Sequence, residues 1–112
     1  MDKATTQITF RHMAHSPAFD AYARQELLKL DKFLESERPP ITIELVIEAL
    51  PVHAHSRVEI IVKTARLYLV SHDEGPDLYA VIDSAVTTMG RELNKAKEKF
   101  LDKRKDSAKR QI

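Results

Sequence analysis

Alternation of apolar and polar residues along the chain predicts four β-strands. The first covers residues 7–12, with Ile8 and Phe10 on its buried side, the two-residue period of a strand with one face packed. The second covers residues 41–48, with β-branched residues on its inward side, and it ends before Pro51. The third and fourth are predicted from the alternating residues Val58, Ile60 and Val62, and then Leu67 and Leu69.

Turn residues predict how the later strands are connected. A short hairpin around Thr64 and Ala65 joins the third and fourth strands, although a tight two-residue turn prefers asparagine or glycine. The segment 73–76, which reads Asp-Glu-Gly-Pro, is expected to end the fourth strand and start the last helix.

Two amphipathic helices are predicted from apolar residues that recur every three or four positions. The first opens with Ser16 and Pro17, a side-chain cap and a proline at the first helical position, and residues 38–40 stop it. The second covers 77–105, and we expect Gly90 within it to allow a close approach of the first helix. The buried faces are predicted to comprise Phe19, Ala23, Leu27, Leu30 and Leu34, and Leu78, Ile82, Ala85, Met89, Leu93, Ala96 and Phe100.

The order strand, helix, three strands, helix predicts an α+β fold. Because each helix has one apolar stripe, the economical arrangement is a two-layer βαβββα sandwich, a four-stranded mixed sheet with two helices on one face. The first two strands, joined through a helix, are expected to be parallel and the later ones antiparallel. The 112 residues suffice for one domain. We assign residues 1–105 to it and expect the basic tail, 106–112, to be disordered.

Composition excludes several classes of function. There is no cysteine, hence no disulfide or thiolate chemistry. No apolar run approaches the roughly 18 residues of a membrane span, and the N-terminus lacks an apolar signal region, so we expect a cytoplasmic protein without a membrane partner. With two glycines a phosphate-cradling loop is nearly excluded, and no Ser-His-Asp arrangement is present. We expect no catalytic residues, no cofactor and no small-molecule substrate.

Two histidines of the chain lie two residues apart, His53 and His55, and would share one side of a continuing strand. Metal ligation usually requires a third or fourth ligand fixed by the fold, and the sequence identifies none. We therefore expect no metal site and favour a loop or a contact with RNA for this pair.

Basic residues are concentrated towards the end of the chain. From Arg91 onward nine Lys/Arg stand against four Asp/Glu, whereas the formal charge of the whole chain is only +1. On a helix Arg91, Lys95 and Lys99 fall opposite the apolar stripe, and we call these three residues the cationic ridge. Such a ridge suits a polyanion such as nucleic acid better than a small substrate. A merely solvated helix face is the simpler interpretation.

Four segments resemble the ribosome hibernation-promoting factor family: ITFRHMAHSPAF from Ile8, LLKLDKF from Leu27, DLYAVID from Asp77 and RELNKAKEK from Arg91. The short members of this family include the ribosome-associated inhibitor of stalled bacterial ribosomes. The resemblance implies a βαβββα protein that lodges in the mRNA and tRNA channel of the small ribosomal subunit, contacts ribosomal RNA and keeps the ribosome idle. The long members add a dimer-forming domain for which this chain has no room, so we do not expect ribosomes to be paired through such a domain. We also expect a monomer off the ribosome.

The resemblance also implies RNA-binding residues. Those matching the family's basic positions are Arg91, Lys95, Lys97 and Lys99 in the last helix and Lys29 and Lys32 in the first. Paired with phosphate oxygens they would give binding that weakens strongly with salt. In the first helix, however, Asp31 and Glu35 could simply pair with the two lysines at the surface. Arg11 and His12 at the end of the first strand are further candidates for a phosphate contact, and an exposed strand end explains them equally well.

Two other functions fit the sequence less well. A double-stranded RNA-binding domain also stacks helices on a sheet, but that family opens with a helix and this chain with a strand. A protein-protein adaptor would use the open face of the sheet, and its apolar binding would resist salt. For Tyr79 and Asp83 in the DLYAVID segment we favour structural roles, the tyrosine packing its ring and the aspartate fixing a nearby turn.

Overall fold

A computed structural model describes residues 4–52 and 54–110, with side chains described as far as Lys99. Its four strands are β1 (Ala4–Arg11), β2 (Ile41–Leu50), β3 (His55–Lys63) and β4 (Tyr68–Gly75). They form one sheet in the order β1-β2-β3-β4, in which β1 and β2 are parallel and the other two pairs are antiparallel. With the helices described below, the predicted α+β, βαβββα fold with a four-stranded mixed sheet is confirmed.

The strand register places the apolar residues of the central strands on one face of the sheet. The facing pairs are Ile43 with Val62, Leu45 with Ile60, and Ile47 with Val58, all of them buried. The helices pack on this inner face, and the opposite face is left open. A register shift of one residue would turn the whole apolar set outward, so burial fixes the pairing.

β1 begins earlier than predicted and ends one residue sooner. It starts at Ala4 and ends at Arg11, and His12 follows it with a φ of 59°. Histidine is among the residue types that adopt this left-handed conformation more readily than most. Placing His12 within the strand was therefore wrong, because the chain turns there.

The single first helix predicted from Ser16 onward is divided in the structure. Its parts are α1 (Pro17–Leu27), a 3₁₀ turn (Leu28–Leu30) and α2 (Asp31–Leu34), which together we call the first helical segment. In a 3₁₀ turn, side chains three residues apart eclipse one another. Leu27 and Leu30 therefore lie on the same side, and both are buried together with Leu34. The predicted first helix is therefore present from Pro17 to Leu34, with a 3₁₀ turn within it that the sequence did not predict, and its leucines face the core.

The long last helix, α3, covers Leu78–Arg110, and its 33 residues span roughly 50 Å. Its start is capped by Asp77, whose carboxylate accepts a hydrogen bond of 3.1 Å from the backbone N–H of Tyr79. The predicted apolar stripe is buried as far as Leu93.

Beyond Leu93, Ala96 is half-buried, and the side chain of Phe100 lies outside the described part of the chain. The backbone of α3 is helical to Arg110. The assignment of residues 1–105 to the domain and 106–112 to a disordered tail stays a prediction. Within residues 4–52 and 54–110, no helix combines the length and the apolar character that crossing a membrane requires.

The β3–β4 turn is closed without glycine. The Thr64 N–H donates to the Leu67 carbonyl at 2.9 Å, and the Thr64 hydroxyl accepts from the N–H groups of Arg66 and Leu67 at 3.3 and 3.0 Å. The same hydroxyl donates to Glu37 Oε1 at 2.8 Å. A side chain thus satisfies the turn's backbone groups, and the predicted hairpin is confirmed.

Glu37, Thr64 and Arg66 form a cluster that we call the Glu37 clamp. Glu37 is buried, and its carboxylate accepts hydrogen bonds from Nε of Arg66 at 3.2 and 3.1 Å from its two oxygens, with a further bond from the guanidinium Nη2. Glu37 lies three residues after Leu34, the last residue of the first helical segment, and its N–H donates to the Leu34 carbonyl at 3.0 Å, so the clamp fixes the end of that segment to the β3–β4 turn.

β4 continues to Gly75, two residues after Asp73, where the sequence predicted an end to the strand. The prediction was wrong because the inward positions here are polar or small and lack an alternating apolar signal. Ser71, for example, is buried and donates from its hydroxyl to the carbonyl of Ala85 in α3 at 3.1 Å. At Gly75 a Cβ atom would lie 3.3 Å from Val81 Cγ2, so α3 starts very close to the strand.

Candidate nucleic-acid interface

A groove of about 390 Å³ runs between the first helical segment and α3. We call it the interhelical groove, and its lining residues are Lys29, Lys32, Phe33, Val86, Thr87, Gly90, Arg91 and Asn94. It therefore brings together three of the predicted RNA-binding residues, Lys29, Lys32 and Arg91, although the two helices lie far apart in sequence. The positive charges lie at its rim, and Phe33, Val86 and Gly90 supply apolar surface.

Gly90 allows the two walls of the groove to meet. A Cβ atom built on Gly90 would lie 3.1 Å from Cε2 of the Phe33 ring, tighter than an ordinary van der Waals contact. The close approach predicted for this glycine is confirmed, and the partner is Phe33 of α2. Glycine in a helix interior costs about 1 kcal/mol relative to alanine, so the contact is a physical reason for its presence.

The remaining cations of α3 lie on two different flanks. Arg91, Lys95 and Lys99 follow one another at four-residue steps and are all exposed, which places the cationic ridge on the outer side of the helix. Lys97 is also on the surface. It lies seven residues after Gly90 and three after Asn94, which places it on the same flank of the helix, so it extends the flank that lines the groove. Arg91 belongs to both, at the point where the ridge meets the groove.

Carboxylates neutralise this surface only in part. Lys95 Nζ lies 3.8 Å from Glu92 Oε1, a long and exposed ion pair. Among the described side chains, Arg91, Lys97 and Lys99 form no ion pair with a carboxylate. Surface pairs of this kind contribute little, so a polyanion could displace Glu92 at small cost.

Lys29 has an acidic partner that the sequence reasoning missed. Its Nζ lies 2.8 Å from Oε1 of Glu26, which is buried. The hydrogen bond to Glu26 raises the pKa of Lys29 above its ordinary value, so the lysine stays charged. The signal was present, since Glu26 lies three residues before Lys29 on the same helix.

Tyr22 and Asp83 connect α1 to α3 beside this pair. The Tyr22 hydroxyl donates to Asp83 Oδ1 at 2.6 Å, and this bond raises the pKa of Tyr22 to about 12. The pKa of Asp83 is lowered, first by a hydrogen bond with the Glu26 carboxyl, then by the bond from Tyr22, with Lys29 adding its charge. Asp83 thus joins two helices, and the prediction that it fixes a turn was wrong. Tyr79 packs as predicted, its ring centroid 4.9 Å from that of Tyr22.

Arg11 and His12 lie apart from the groove. In the parallel register Arg11 is opposite Glu48, on the open face of the sheet and not on the face that carries the helices. His12 Nε2 is 3.4 Å from Oε2 of the same glutamate. The structure therefore does not bring these two candidates together with the lysines and arginine of the helices, and a phosphate contact at Arg11 and His12 stays a prediction.

The open face of the sheet carries balanced charges. Residues opposite one another in neighbouring strands form the row Arg11, Glu48, Arg57 and Glu74, which alternates in sign across all four strands. Arg57 also pairs with Glu59 at 3.4 Å. Nearer the other end of this face, Tyr68 and Val70 are exposed. A balance of this kind does not favour a polyanion.

Histidines do not assemble a metal site in the described part of the chain, where no group of three or more His, Cys, Asp or Glu side chains could hold an ion. His55 is the first residue of β3, and His53 lies outside the described residues, so the predicted pairing of these two imidazoles is not tested.

Comparison with known proteins identifies similar sequences and folds. The chain matches, over residues 6–100, the model of the family described as sigma 54 modulation protein / S30EA ribosomal protein. Its fold is similar to that of the Thermus thermophilus Protein Y N-terminal domain, with a TM-score of 0.69, 22% identity and coverage of 80% of this chain and 93% of that one. It is also similar to a ribosomal subunit interface protein from Coxiella burnetii, with a TM-score of 0.68, 20% identity and coverage of 83% and 97%. No curated protein matches the sequence.

Proposed function

The chain belongs to the sigma 54 modulation protein / S30EA ribosomal protein family, and from this we propose that it is a ribosome hibernation factor acting in the cytoplasm. It binds the small ribosomal subunit in the mRNA and tRNA channel, through cations of its helices that contact ribosomal RNA. It excludes mRNA and tRNA by occupying their path and performs no chemistry.

One observation carries this proposal, the convergence of cations from two distant parts of the chain on one side of the molecule. Lys29 and Lys32 face Arg91 across the interhelical groove, and Lys97 and the cationic ridge extend the surface along α3. Packing of the apolar stripe against the sheet holds these side chains on a rigid support. Cations fixed in this way pair with phosphates and release counterions, which gives affinity with little dependence on base sequence.

The charge distribution favours this function over an adaptor that uses the open sheet face. The open face alternates positive and negative residues, whereas the exposed cations of α3 have few acidic partners among the described side chains. Binding through the helices should therefore collapse as ionic strength rises, and binding through Tyr68 and Val70 should not.

The test is co-sedimentation with ribosomes on sucrose gradients at increasing salt, comparing the native chain with a triple alanine variant of the ridge. The variant carries Arg91→Ala, Lys95→Ala and Lys99→Ala. Because all three side chains lie on the surface, its melting temperature should be unchanged. Ribosome affinity should fall by about tenfold or more, and the plot of log affinity against log salt should flatten by roughly one unit of slope for each phosphate that is no longer paired.

A matched control removes the same charge elsewhere. It carries Arg24→Ala, Arg57→Ala and Lys63→Ala, which lie outside both the groove and the ridge, and should keep native ribosome binding. If the two triple variants lost ribosome affinity equally, the effect would come from net charge alone and not from the position of the ridge. Absence of the native protein from ribosomal fractions at low salt would end the proposal altogether.

A further inference from the structure

The floor of the interhelical groove is not explained by contacts with phosphates. Cations at a rim are sufficient to hold a nucleic-acid backbone, yet this groove is a concave site of about 390 Å³ with Phe33, Val86 and Gly90 along its lining. That volume is within the range of clefts that hold a small ligand. A ligand that fills it must present an apolar, planar or compact part to the floor and a negative charge to the rim.

The Phe33 ring is placed to receive a planar group. Three of its atoms, Cε2, Cζ and Cδ2, lie 3.1, 3.6 and 3.8 Å from the position that a Cβ would take at Gly90 of α3. The Lys32 ammonium lies 5.1 Å from the ring centroid, over one face of the ring. A face that an exposed lysine can reach is also open to a ligand, with the lysine moving aside to meet its charge.

Polar groups suited to a base edge stand beside the ring. Asn94 and Thr87 line the same groove, and each offers a donor and an acceptor. The Asn94 amide donates to Glu98 at 3.3 Å, which leaves its carbonyl and second N–H available. These residues were missed at the level of sequence, although Thr87, Gly90 and Asn94 follow at three- and four-residue spacing on one flank of the helix.

We propose that the interhelical groove binds one unpaired nucleotide of RNA, its base against Phe33 and near Asn94, its phosphate between Lys29 and Arg91. This rests on the proposed function and adds to it a preference for an unpaired position. A continuous duplex presents only phosphates and sugars to the rim, because its bases are stacked inside. A nucleotide turned out of a bulge or loop presents both a base and a phosphate, the form in which proteins commonly read RNA.

The experiment compares two RNA hairpins, each closed by a non-nucleotide linker so that neither has an unpaired loop, one fully paired and one with a single-nucleotide bulge, by fluorescence anisotropy with the full chain. The native protein should bind the bulged RNA about tenfold more tightly, as expected when one base gains an aromatic partner. Phe33→Leu, which keeps an apolar side chain but removes the ring, should lose this preference and retain its affinity for the paired hairpin. Lys63→Ala, with its cation on the open face, is the matched control and should behave as the native chain.

A second measurement does not depend on any variant folding. 2-Aminopurine placed at the bulge should be quenched on binding when its base stacks on Phe33, and should stay bright when only phosphates are held. Equal affinity of the native chain for both hairpins, or an unquenched probe, overturns the nucleotide site. Either result leaves the proposed function standing if ribosome co-sedimentation persists, whereas loss of co-sedimentation itself refutes the proposed function.

Discussion

Removing Arg66 should destabilise the protein more than removing any other surface cation, because of the Glu37 clamp. The Glu37 side chain is only 3% exposed, and the Arg66 guanidinium contacts both of its oxygens while remaining 33% exposed itself. Truncating one member of a buried ion pair costs about 3–5 kcal/mol, since the other charge is left in a poorly solvated position. Partial exposure of the arginine lowers this figure, and we expect about 2–3 kcal/mol for Arg66→Ala.

Thermal and urea unfolding measure this cost. At this chain length a loss of about 2–3 kcal/mol corresponds to a fall in melting temperature of about 10 °C or more. Lys63→Ala, three residues earlier and exposed, is the matched control and should stay within about 0.5 kcal/mol of the native protein.

A double-mutant cycle distinguishes the cost of leaving the Glu37 charge without Arg66 from the cost of lost packing. Glu37→Gln keeps the shape of the side chain and removes its charge, so in the Arg66→Ala background it should recover part of the lost stability. The reasoning is refuted if Arg66→Ala melts like Lys63→Ala, or if Glu37→Gln adds its full cost to that of Arg66→Ala.

Two further predictions concern the first helical segment. Tyr22→Phe should lower the melting temperature at neutral pH, because Glu26 first and the Tyr22 hydroxyl second keep the pKa of Asp83 below its ordinary value of 3.8. The deficit relative to the native chain should shrink in a melting series as the pH falls from 3.8 through the lower pKa of the folded state, and a deficit of equal size at acid pH would contradict this. Ser16→Ala should cost about 1 kcal/mol in urea unfolding by removing the cap that accepts the Phe19 N–H at 3.3 Å, while Ser16→Asp, which keeps an acceptor, should stay near native stability.

Sequence reasoning located most elements because local pattern and final burial agree in them. The β2 alternation survives in the structure as the row of buried residues from Ile41 to Ile47, and Ser16 does cap the first helix. The prediction failed where a residue that faces the core is polar. Ser71 faces inward and is polar, so the end of β4 carried no apolar period, and the 3₁₀ turn at Leu28–Leu30 has the same leucine spacing as an α-helix.

The candidate site was only partly accessible from the sequence. The charge pattern of α3 and the presence of a glycine, Gly90, inside a helix are both visible in a short stretch of the sequence. That Lys29 and Arg91 meet across one groove, whereas Arg11 belongs to the other face of the sheet, depends on how the layers stack. Phe33 gave no signal either, because its contact with Gly90 joins residues far apart in the chain.

The balanced row on the open face offers a polyanion little to attract it, whereas the exposed cations of α3 project from the opposite side of the sheet. Local fields of this kind bias how a charged partner approaches, so the proposed RNA partner should meet α3 more often than the open face. This bias acts before contact and fades as salt shortens the distance over which charges are felt.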